Sequence, residues 1–286
     1  MKRKLKIRRS PYIGYCFGVK RAMRLIEEGL ASRHGPIFTL GDVIHNKQAV
    51  ERLKSRGVRQ VSSLEHLDSG AVLVIRAHGA TPDLITRAKQ RGINLIDTTC
   101  PFVERIQKYA QKLASSSYTV IIIGNSNHPE VQSISGNIGD KALIVNSVDG
   151  ARRIRPLAKA GVVIQTTFSR EKADEIIEAI RPRVEDFTVY DTICHATELR
   201  REATLELARS VDMMLVIGGR GSSNTRGLYQ MCIEHGIPVR FIETADEIDP
   251  SWFDGCSSVG LTTGTSTPGW IIEEVVERME GIAGTP

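Results

Sequence analysis

Residues 100–130, CPFVERIQKYAQKLASSSYTVIIIGNSNHPE, contain one complete cycle of the pattern that predicts the fold. After Cys100, apolar side chains recur at helical spacing, and Pro101 stands where the first turn of a helix favours proline. The β-branched run TVIIIG is typical of a buried strand, and it opens into the polar segment NSNHPE. Helices alternating with short apolar strands predict an α/β fold with mostly parallel sheets.

The same order of cysteine, helix, strand and polar loop recurs at two other places in the chain. Cys16 begins CFGVKRAMRLIEEGL and Cys194 begins CHATELRREATLELA. About 30 residues after each cysteine a strand opens into a polar loop, and a second such strand end follows at roughly twice that distance. The polar residues of these loops are His45, His78, His128, Glu130, Thr166, Thr167, Asn224 and Ser266. The repeat predicts three α/β domains, at 1–98, 99–190 and 191–286.

Three of the five cysteines stand at predicted helix starts that follow loops. Ligands of open α/β sheets gather beyond the carboxyl ends of the strands, so we expect Cys16, Cys100 and Cys194 to converge with the polar loops on one cavity. A helix N-terminus also favours the thiolate form of cysteine. Cys232 lies within a helical pattern and Cys256 leads into a strand, so both are interpreted as structural thiols.

The cysteine spacing by itself leaves three interpretations open. An odd number of widely separated cysteines indicates neither a disulfide framework nor a Cys-x-x-Cys zinc site. Three thiolates could hold a 4Fe-4S cluster that leaves one iron open to a substrate. They could also bind zinc, with His45 or His128 as the fourth ligand, or they could be inert buried cysteines.

Composition places the chain among ordinary globular proteins. It has 286 residues, of which 41% are apolar and 25% charged, and no apolar run is long enough to span a bilayer. We therefore expect a cytoplasmic protein without a membrane partner. The net charge of +5 suits anionic partners in general, but it selects none of them, and no nucleic-acid recognition motif is visible.

Nine short motifs occur together, in the order GYCFGVKRA, IHNKQAVERL, RAHGATPD, DTTCPFV, HPEV, QTTFS, DTICHAT, SSNT and GTSTP. In this order, and over nearly the whole chain, they resemble the 4-hydroxy-3-methylbut-2-enyl diphosphate reductases, the last enzymes of the methylerythritol phosphate route to isoprenoids. The resemblance implies a trefoil of three pseudo-threefold related α/β domains around a central iron–sulfur site. It implies reductive dehydroxylation of the allylic diphosphate to isopentenyl and dimethylallyl diphosphate, with two electrons and two protons.

The resemblance also implies roles for individual residues. Cys16, Cys100 and Cys194 would bind a 4Fe-4S cluster whose open iron takes the substrate hydroxyl. Glu130 would be the proton donor, and Thr166 would contact the hydroxyl end of the substrate. The diphosphate pocket would be lined by His45, His78, His128, Ser222, Ser223, Asn224 and Ser266. The electron donor would be a reduced ferredoxin or flavodoxin. Two positions depart from the family pattern: Ser133 stands where many members have glycine, and Gly269 where aspartate is common.

Two other functions fit the same residues. An iron–sulfur reductase or dehydratase could act on a different anionic substrate. A non-catalytic iron–sulfur sensor could instead bind nucleic acid through the basic surface, and such binding would be sensitive to salt.

Overall fold

The strands of the chain form parallel sheets of four strands each. A computed structural model describes residues 5–32 and 35–284, and in these residues it contains three such sheets, with helices in the connections between strands. The α/β fold class predicted from the alternating pattern is therefore confirmed. The described residues divide into two compact units, one of which contains one sheet and the other two.

The first unit consists of the described residues up to Val19, Ile44–Glu51, and the described residues from His195 onward. Its sheet has the order β1-β12-β10-β11. The strands are β1 (Lys6–Arg9), β10 (Met213–Ile217), β11 (Val239–Ile242) and β12 (Ser258–Thr263). The helices that follow Cys194 in this unit are α8 (His195–Ala208), α9 (Ser223–Glu234) and α10 (Gly269–Gly284).

The second unit consists of the described residues of Lys20–Val43 and of Arg52–Cys194. Its first sheet has the order β3-β2-β4-β5. The strands are β2 (Ile37–Leu40), β3 (Val58–Val61), β4 (Val72–Ile75) and β5 (Asn94–Asp97). Helix α3 (Pro82–Gln90) connects β4 to β5, while α1 (Phe17–Ala31) and α2 (Lys47–Ser55) lie earlier in the chain.

The second sheet of this unit has the order β7-β6-β8-β9. The strands are β6 (Thr119–Ile123), β7 (Leu143–Val145), β8 (Leu157–Ile164) and β9 (Val184–Tyr190). The helices around them are α4 (Pro101–Ser115), α5 (Pro129–Gly136), α6 (Val148–Arg152) and α7 (Arg170–Ile180).

The central strands of the β7-β6-β8-β9 sheet are buried on both faces over most of the length along which they pair. In β6 the side chains from Val120 to Ile123 are all buried, and in β8 so are those from Val162 to Ile164. Parallel strands covered by helices on both sides require such continuous apolar runs instead of an alternation of apolar and polar residues. This explains why the run TVIIIG predicts a strand in the sequence.

Strand β1 pairs with a strand from the other end of the chain, a pairing that a division of the chain at its three cysteines does not predict. β1 pairs in parallel with β12, with Lys6 opposite Ser258 and Arg9 opposite Leu261. The first strand therefore belongs to the sheet built by the last third of the chain. Its sequence, KIRR, is too short and too charged to be recognised as a strand. The three domains at 1–98, 99–190 and 191–286 stay a prediction.

Within the described ranges, no helix combines the length and the apolar content that crossing a membrane requires.

Candidate active site

A buried polar pair in the second unit joins Glu130 to Thr166. Glu130 lies in the first turn of α5, after β6, and is 2% exposed. Thr166 follows β8, the strand beside β6. The Thr166 backbone N–H donates to Glu130 Oε1, and its hydroxyl donates to Oε2, each at 2.6 Å. Because β6 and β8 are parallel neighbours, their carboxyl ends bring these two loops side by side.

Burial controls the charge of the Glu130 carboxyl. The loss of hydration raises the pKa of Glu130, and the two hydrogen bonds from Thr166 oppose this rise without cancelling it. The neutral acid therefore persists to higher pH than in an ordinary carboxyl. In the neutral form, a proton on Oε2 can be donated to the Thr166 hydroxyl, which can then donate its own proton outward. The pair can act as a buried proton donor.

Thr166 also contacts the backbone of a predicted metal ligand. The Cys194 N–H donates to the Thr166 carbonyl at 2.9 Å. Two residues earlier, the Thr192 hydroxyl accepts from the Ile164 N–H at 2.7 Å and donates to the Ile164 carbonyl at 2.6 Å. The loop leading to Cys194 is thus bonded to the end of β8. One residue, Thr166, links the predicted acid to the segment that carries a predicted cluster ligand.

Cys100 is held in a similar way at the end of the other sheet of this unit. It is the N-cap residue of α4, and its N–H donates to the Ala77 carbonyl at 3.0 Å. The Thr98 hydroxyl donates to the Ile75 carbonyl at 2.6 Å. Since His78 directly follows Ala77, Cys100 and His78 come from two loops that are bonded to each other.

The imidazoles of His78 and His128 lie edge to face, with 5.4 Å between the ring centroids. His128 caps the N-terminus of α5, where its Nδ1 accepts from the Glu130 N–H at 3.2 Å. Because Nδ1 is an acceptor, the neutral ring must have its proton on Nε2, which makes that nitrogen a donor. A single loop therefore presents both a hydrogen-bond donor for an anion, at His128, and an acid, at Glu130.

Ser133, one of the two departures from the family pattern, ties α5 to the loop that follows His78. Its hydroxyl accepts from Gln107 Nε2 at 2.8 Å and donates to the Ala80 carbonyl at 3.3 Å. Gly79 between them has a φ of +79°, and a Cβ there would lie 2.8 Å from the Ser133 hydroxyl. The serine thus fills a space that only a glycine at position 79 leaves open.

In the first unit, the segment before Cys16 is bonded to the end of β12. The Cys16 N–H donates to the Thr265 carbonyl at 3.0 Å. The Gly14 N–H donates to the Thr263 hydroxyl at 2.8 Å, and Gly14 has a φ of +78°. Like Cys100, Cys16 directly precedes a helix, because α1 begins at Phe17.

The remaining predicted residues of the first unit surround the start of α9. Ser222 caps this helix by accepting from the Thr225 N–H at 3.3 Å, and Asn224 Oδ1 accepts from the Thr265 N–H at 3.1 Å. The Ser266 hydroxyl donates to the His45 carbonyl at 3.2 Å. Backbone N–H groups at the start of a helix, together with hydroxyls and an amide, form a site suited to phosphate oxygens.

Gly219 allows the loop before α9 to approach the segment that carries His45. A Cβ at position 219 would lie 2.2 Å from the His45 carbonyl oxygen, which is far inside van der Waals contact. Any side chain at this position would therefore displace His45 or the loop before α9.

The predicted site residues fall into two groups. Within the second unit, the structure brings together the loops that carry Cys100, Cys194, His78, His128, Glu130 and Thr166. Within the first unit, it brings together those of Cys16, His45, Ser222, Ser223, Asn224 and Ser266. Arg200, which is buried beside the Cys16 loop, is a further residue of this group that was not predicted from the sequence. The sequence feature that could have pointed to Arg200 is a basic residue on the buried side of the helix that follows Cys194.

The other two cysteines have different surroundings. Cys232 is fully buried in an apolar cluster, and burial raises its pKa to about 11. Burial also raises the pKa of Cys256. A thiol with a raised pKa stays protonated at neutral pH and is a poor metal ligand. No disulfide joins any of the five cysteines, all of which lie in the described ranges.

Comparisons with known proteins agree over nearly the full length of the chain. A family model described as LytB protein matches residues 7–280. The 4-hydroxy-3-methylbut-2-enyl diphosphate reductase of Pelobacter propionicus is 43% identical over 266 residues, which are 93% of this chain and 94% of that protein. The enzyme of the same name from Geotalea daltonii is 40% identical over 279 residues, or 98% of each chain.

Two solved structures are also similar to this chain. One, of (E)-4-hydroxy-3-methyl-but-2-enyl diphosphate reductase, is 38% identical, has a TM-score of 0.71, and matches over 97% of this chain and 99% of its own. The other is the E-1-hydroxy-2-methyl-but-2-enyl-4-diphosphate reductase from Plasmodium falciparum, which is 28% identical and has a TM-score of 0.90. The match covers 96% of this chain and 87% of that chain. The resemblance predicted from the nine motifs is confirmed, and the chain belongs to the LytB protein family.

Proposed function

We propose that this chain is a 4-hydroxy-3-methylbut-2-enyl diphosphate reductase. It converts (E)-4-hydroxy-3-methylbut-2-enyl diphosphate to isopentenyl diphosphate and dimethylallyl diphosphate. The allylic C–O bond breaks, two electrons and two protons are consumed, and the oxygen leaves as water. The observation that supports this most directly is the buried Glu130–Thr166 pair, because loss of a hydroxyl as water requires a positioned acid.

The cofactor is an iron–sulfur group, and we propose a 4Fe-4S cluster with Cys16, Cys100 and Cys194 as its three protein ligands. The donor set fits such a group: each cysteine directly precedes a helix, a position that favours the thiolate that iron requires. Cys232 lies inside α9 and Cys256 lies just before β12, so neither has this position at the start of a helix. When bound, the cluster would supply the two electrons and a Lewis-acidic iron for the substrate oxygen.

The protein's own residues deliver the proton that turns the hydroxyl into water. Burial raises the pKa of Glu130 and so favours its neutral form, whose proton would pass to the Thr166 hydroxyl and from there to the substrate oxygen. After transfer, the carboxylate is stabilised by the two hydrogen bonds that Thr166 donates. Thr166 thus forms hydrogen bonds with Glu130 both when the carboxyl is neutral and when it is ionised.

The diphosphate is bound by donors rather than by a cluster of cations. His45, His78 and His128 supply imidazole N–H groups, and His128 donates through Nε2 because its Nδ1 is occupied. The hydroxyls of Ser222, Ser223 and Ser266, the amide of Asn224 and the N-terminus of α9 supply the rest. The second proton is added to one of two allylic carbons, which accounts for two products, and the bound diphosphate is its source.

The test is turnover by anaerobically reconstituted protein. Protein with its iron and sulfide quantified is given the hydroxylated diphosphate and a chemical reductant, and both products are measured. Reduced ferredoxin and reduced flavodoxin are then compared as electron donors. Formation of both diphosphates is expected. An intact iron–sulfur spectrum without turnover would contradict the assignment and favour another anionic substrate.

A further inference from the structure

Arg200, on α8 in the first unit, is a buried cation that the mechanism above does not use. The residue is 4% exposed. Its Nη1 donates to the carbonyl and hydroxyl oxygens of Thr263 at 3.0 and 3.1 Å, and its Nη2 donates to the Gly14 carbonyl at 2.5 Å. The guanidinium therefore bridges the end of β12 and the segment just before Cys16.

Among the described residues, no carboxylate forms a hydrogen bond or an ion pair with Arg200. In the described part of the chain, its hydrogen bonds go to uncharged oxygens. A buried cation is costly unless an anion offsets its charge. Burial lowers the pKa of Arg200, while a Cys16 thiolate raises it through the attraction of opposite charges. The guanidinium binds the Gly14 carbonyl, two residues before Cys16, so the negative charge closest to it along this segment would be a Cys16 thiolate.

The same contacts hold the Cys16 segment in one conformation. The Thr263 hydroxyl accepts from the Gly14 N–H as well as from Arg200, and Arg200 in turn donates to the Gly14 carbonyl. Both backbone polar groups of Gly14 are thus fixed, in a left-handed conformation that favours glycine. The Cys16 N–H is fixed separately, by the Thr265 carbonyl.

We propose that Arg200 is a positioning residue for the iron–sulfur site, which holds the 14–16 loop so that Cys16 can bind iron and which offsets the negative charge of the ligated sulfur. The inference rests on the proposed function and deepens it. An iron–sulfur group with thiolate ligands becomes more negative when it is reduced. A nearby buried cation therefore stabilises the reduced form and raises the reduction potential.

The test separates the charge of Arg200 from its hydrogen bonds. Arg200→Met removes both, and Arg200→Lys keeps the charge but loses the planar fork that reaches Gly14 and Thr263 together. The control is Arg201→Met, which removes the same charge from the next position of α8, where the side chain points toward Gly227 on α9. Each reconstituted protein is assayed for its midpoint reduction potential and for the rate of iron release to a chelator.

We expect Arg200→Met to have a more negative midpoint potential than the parent and to release iron on the order of 10- to 100-fold faster. Arg200→Lys should release iron faster while keeping a potential close to that of the parent. Arg201→Met should match the parent in both measurements. A folded Arg200→Met protein that behaves like Arg201→Met would overturn the proposal.

Two further outcomes are also decisive. If circular dichroism shows that Arg200→Met does not fold, Arg200→Lys decides: iron release at the parent's rate overturns the positioning role, and faster release supports it. If the parent holds iron but does not convert the diphosphate, the proposed function fails while the potentials and release rates still test Arg200. A parent that binds no iron would contradict both.

Discussion

Glu130 shows how a single environment determines the chemistry of a side chain. The same carboxyl on the surface would be ionised at neutral pH and could not act as an acid. Its burial after β6 raises the pKa, and Thr166 supplies hydrogen bonds that suit both the neutral and the ionised form. The acid role therefore depends on the position of Glu130 in the fold.

At this residue, Glu130→Gln should keep the structure and lose the reaction. Glutamine has the same shape, and its amide can bond to Thr166 if the threonine hydroxyl reverses its role, but it has no proton to transfer. We expect turnover to fall by on the order of 10²- to 10⁴-fold, with iron content and substrate affinity retained. Steady-state kinetics and iron analysis check this, with Glu175→Gln on the exposed side of α7 as control. A rate near that of the parent would remove Glu130 from the acid role.

The raised pKa of Glu130 also predicts a pH dependence of stability. Between the ordinary carboxyl pKa and the raised native one, the folded protein binds a proton that the unfolded chain has released. The free energy of unfolding must therefore fall as the pH rises through this window. Glu130→Gln lacks this titration, so the stability of the parent relative to the variant should decrease as the pH rises from the ordinary carboxyl pKa of 4.5 toward the raised native one. Urea denaturation of both proteins measures the difference, and identical pH dependence would contradict the shift.

At the scale of elements, the site is built where strands end and helices begin. Cys100 and His128 are N-cap residues of α4 and α5, and Ser222 is that of α9. The first N–H groups of a helix lack intrahelical partners, so these positions combine a structural task with the binding of negative groups. A substitution at such a position therefore changes stability and function together. Two different substitutions of the same residue are needed to measure the two effects separately.

For α5, two substitutions of His128 separate capping from binding. His128→Ala removes the Nδ1 acceptor for the Glu130 N–H, which should cost about 1 kcal/mol of the free energy of unfolding. His128→Asn should restore most of that stability, because asparagine is a good N-cap residue. Both variants should have a raised KM for the diphosphate, since the Nε2 donor is absent. Recovery of KM in His128→Asn would show that capping, not the imidazole, matters for binding.

At the scale of the whole molecule, the cysteines divide into two chemical classes. Cys16, Cys100 and Cys194 directly precede helices, whereas Cys232 and Cys256 have raised pKa values in structural positions. The three cysteines of the first class are spread over residues 16–194, so binding of one cluster would depend on the folding of distant parts of the chain. No such dependence is expected for Cys232 and Cys256.

This division predicts two outcomes for substitution of the cysteines. Serine at position 16, 100 or 194 should abolish or strongly reduce bound iron and the visible absorption of the cluster, because a hydroxyl is a poor ligand for such clusters. Cys232→Ala and Cys256→Ala should keep the iron content of the parent. Iron and sulfide analysis with electron paramagnetic resonance measures both groups. Full iron content in Cys16→Ser would contradict the ligand assignment.

Much of the fold could be predicted from local pattern. The run TVIIIG had to be a strand buried on both faces, and the cysteine-led amphipathic segments had to be helices, because both follow from side-chain periodicity. The strand KIRR could not be predicted, because its partner β12 lies some 250 residues later and nothing in four mostly charged residues encodes that pairing. Likewise Arg200 looked like any basic residue of a helix until Gly14 and Thr263 were placed against it.

The sequence by itself determined the chemical groups, their order along the chain and the family, because motif identity and spacing are properties of the chain alone. Only the tertiary structure decided which of these groups share an environment: that Thr166 contacts both Glu130 and Cys194, and that Cys232 is held in an apolar core. The physical reason is that pKa, hydration and hydrogen-bond partners depend on neighbours that are distant in sequence. Residue type supplies a carboxyl or a thiol, and burial and neighbours determine its protonation and its role.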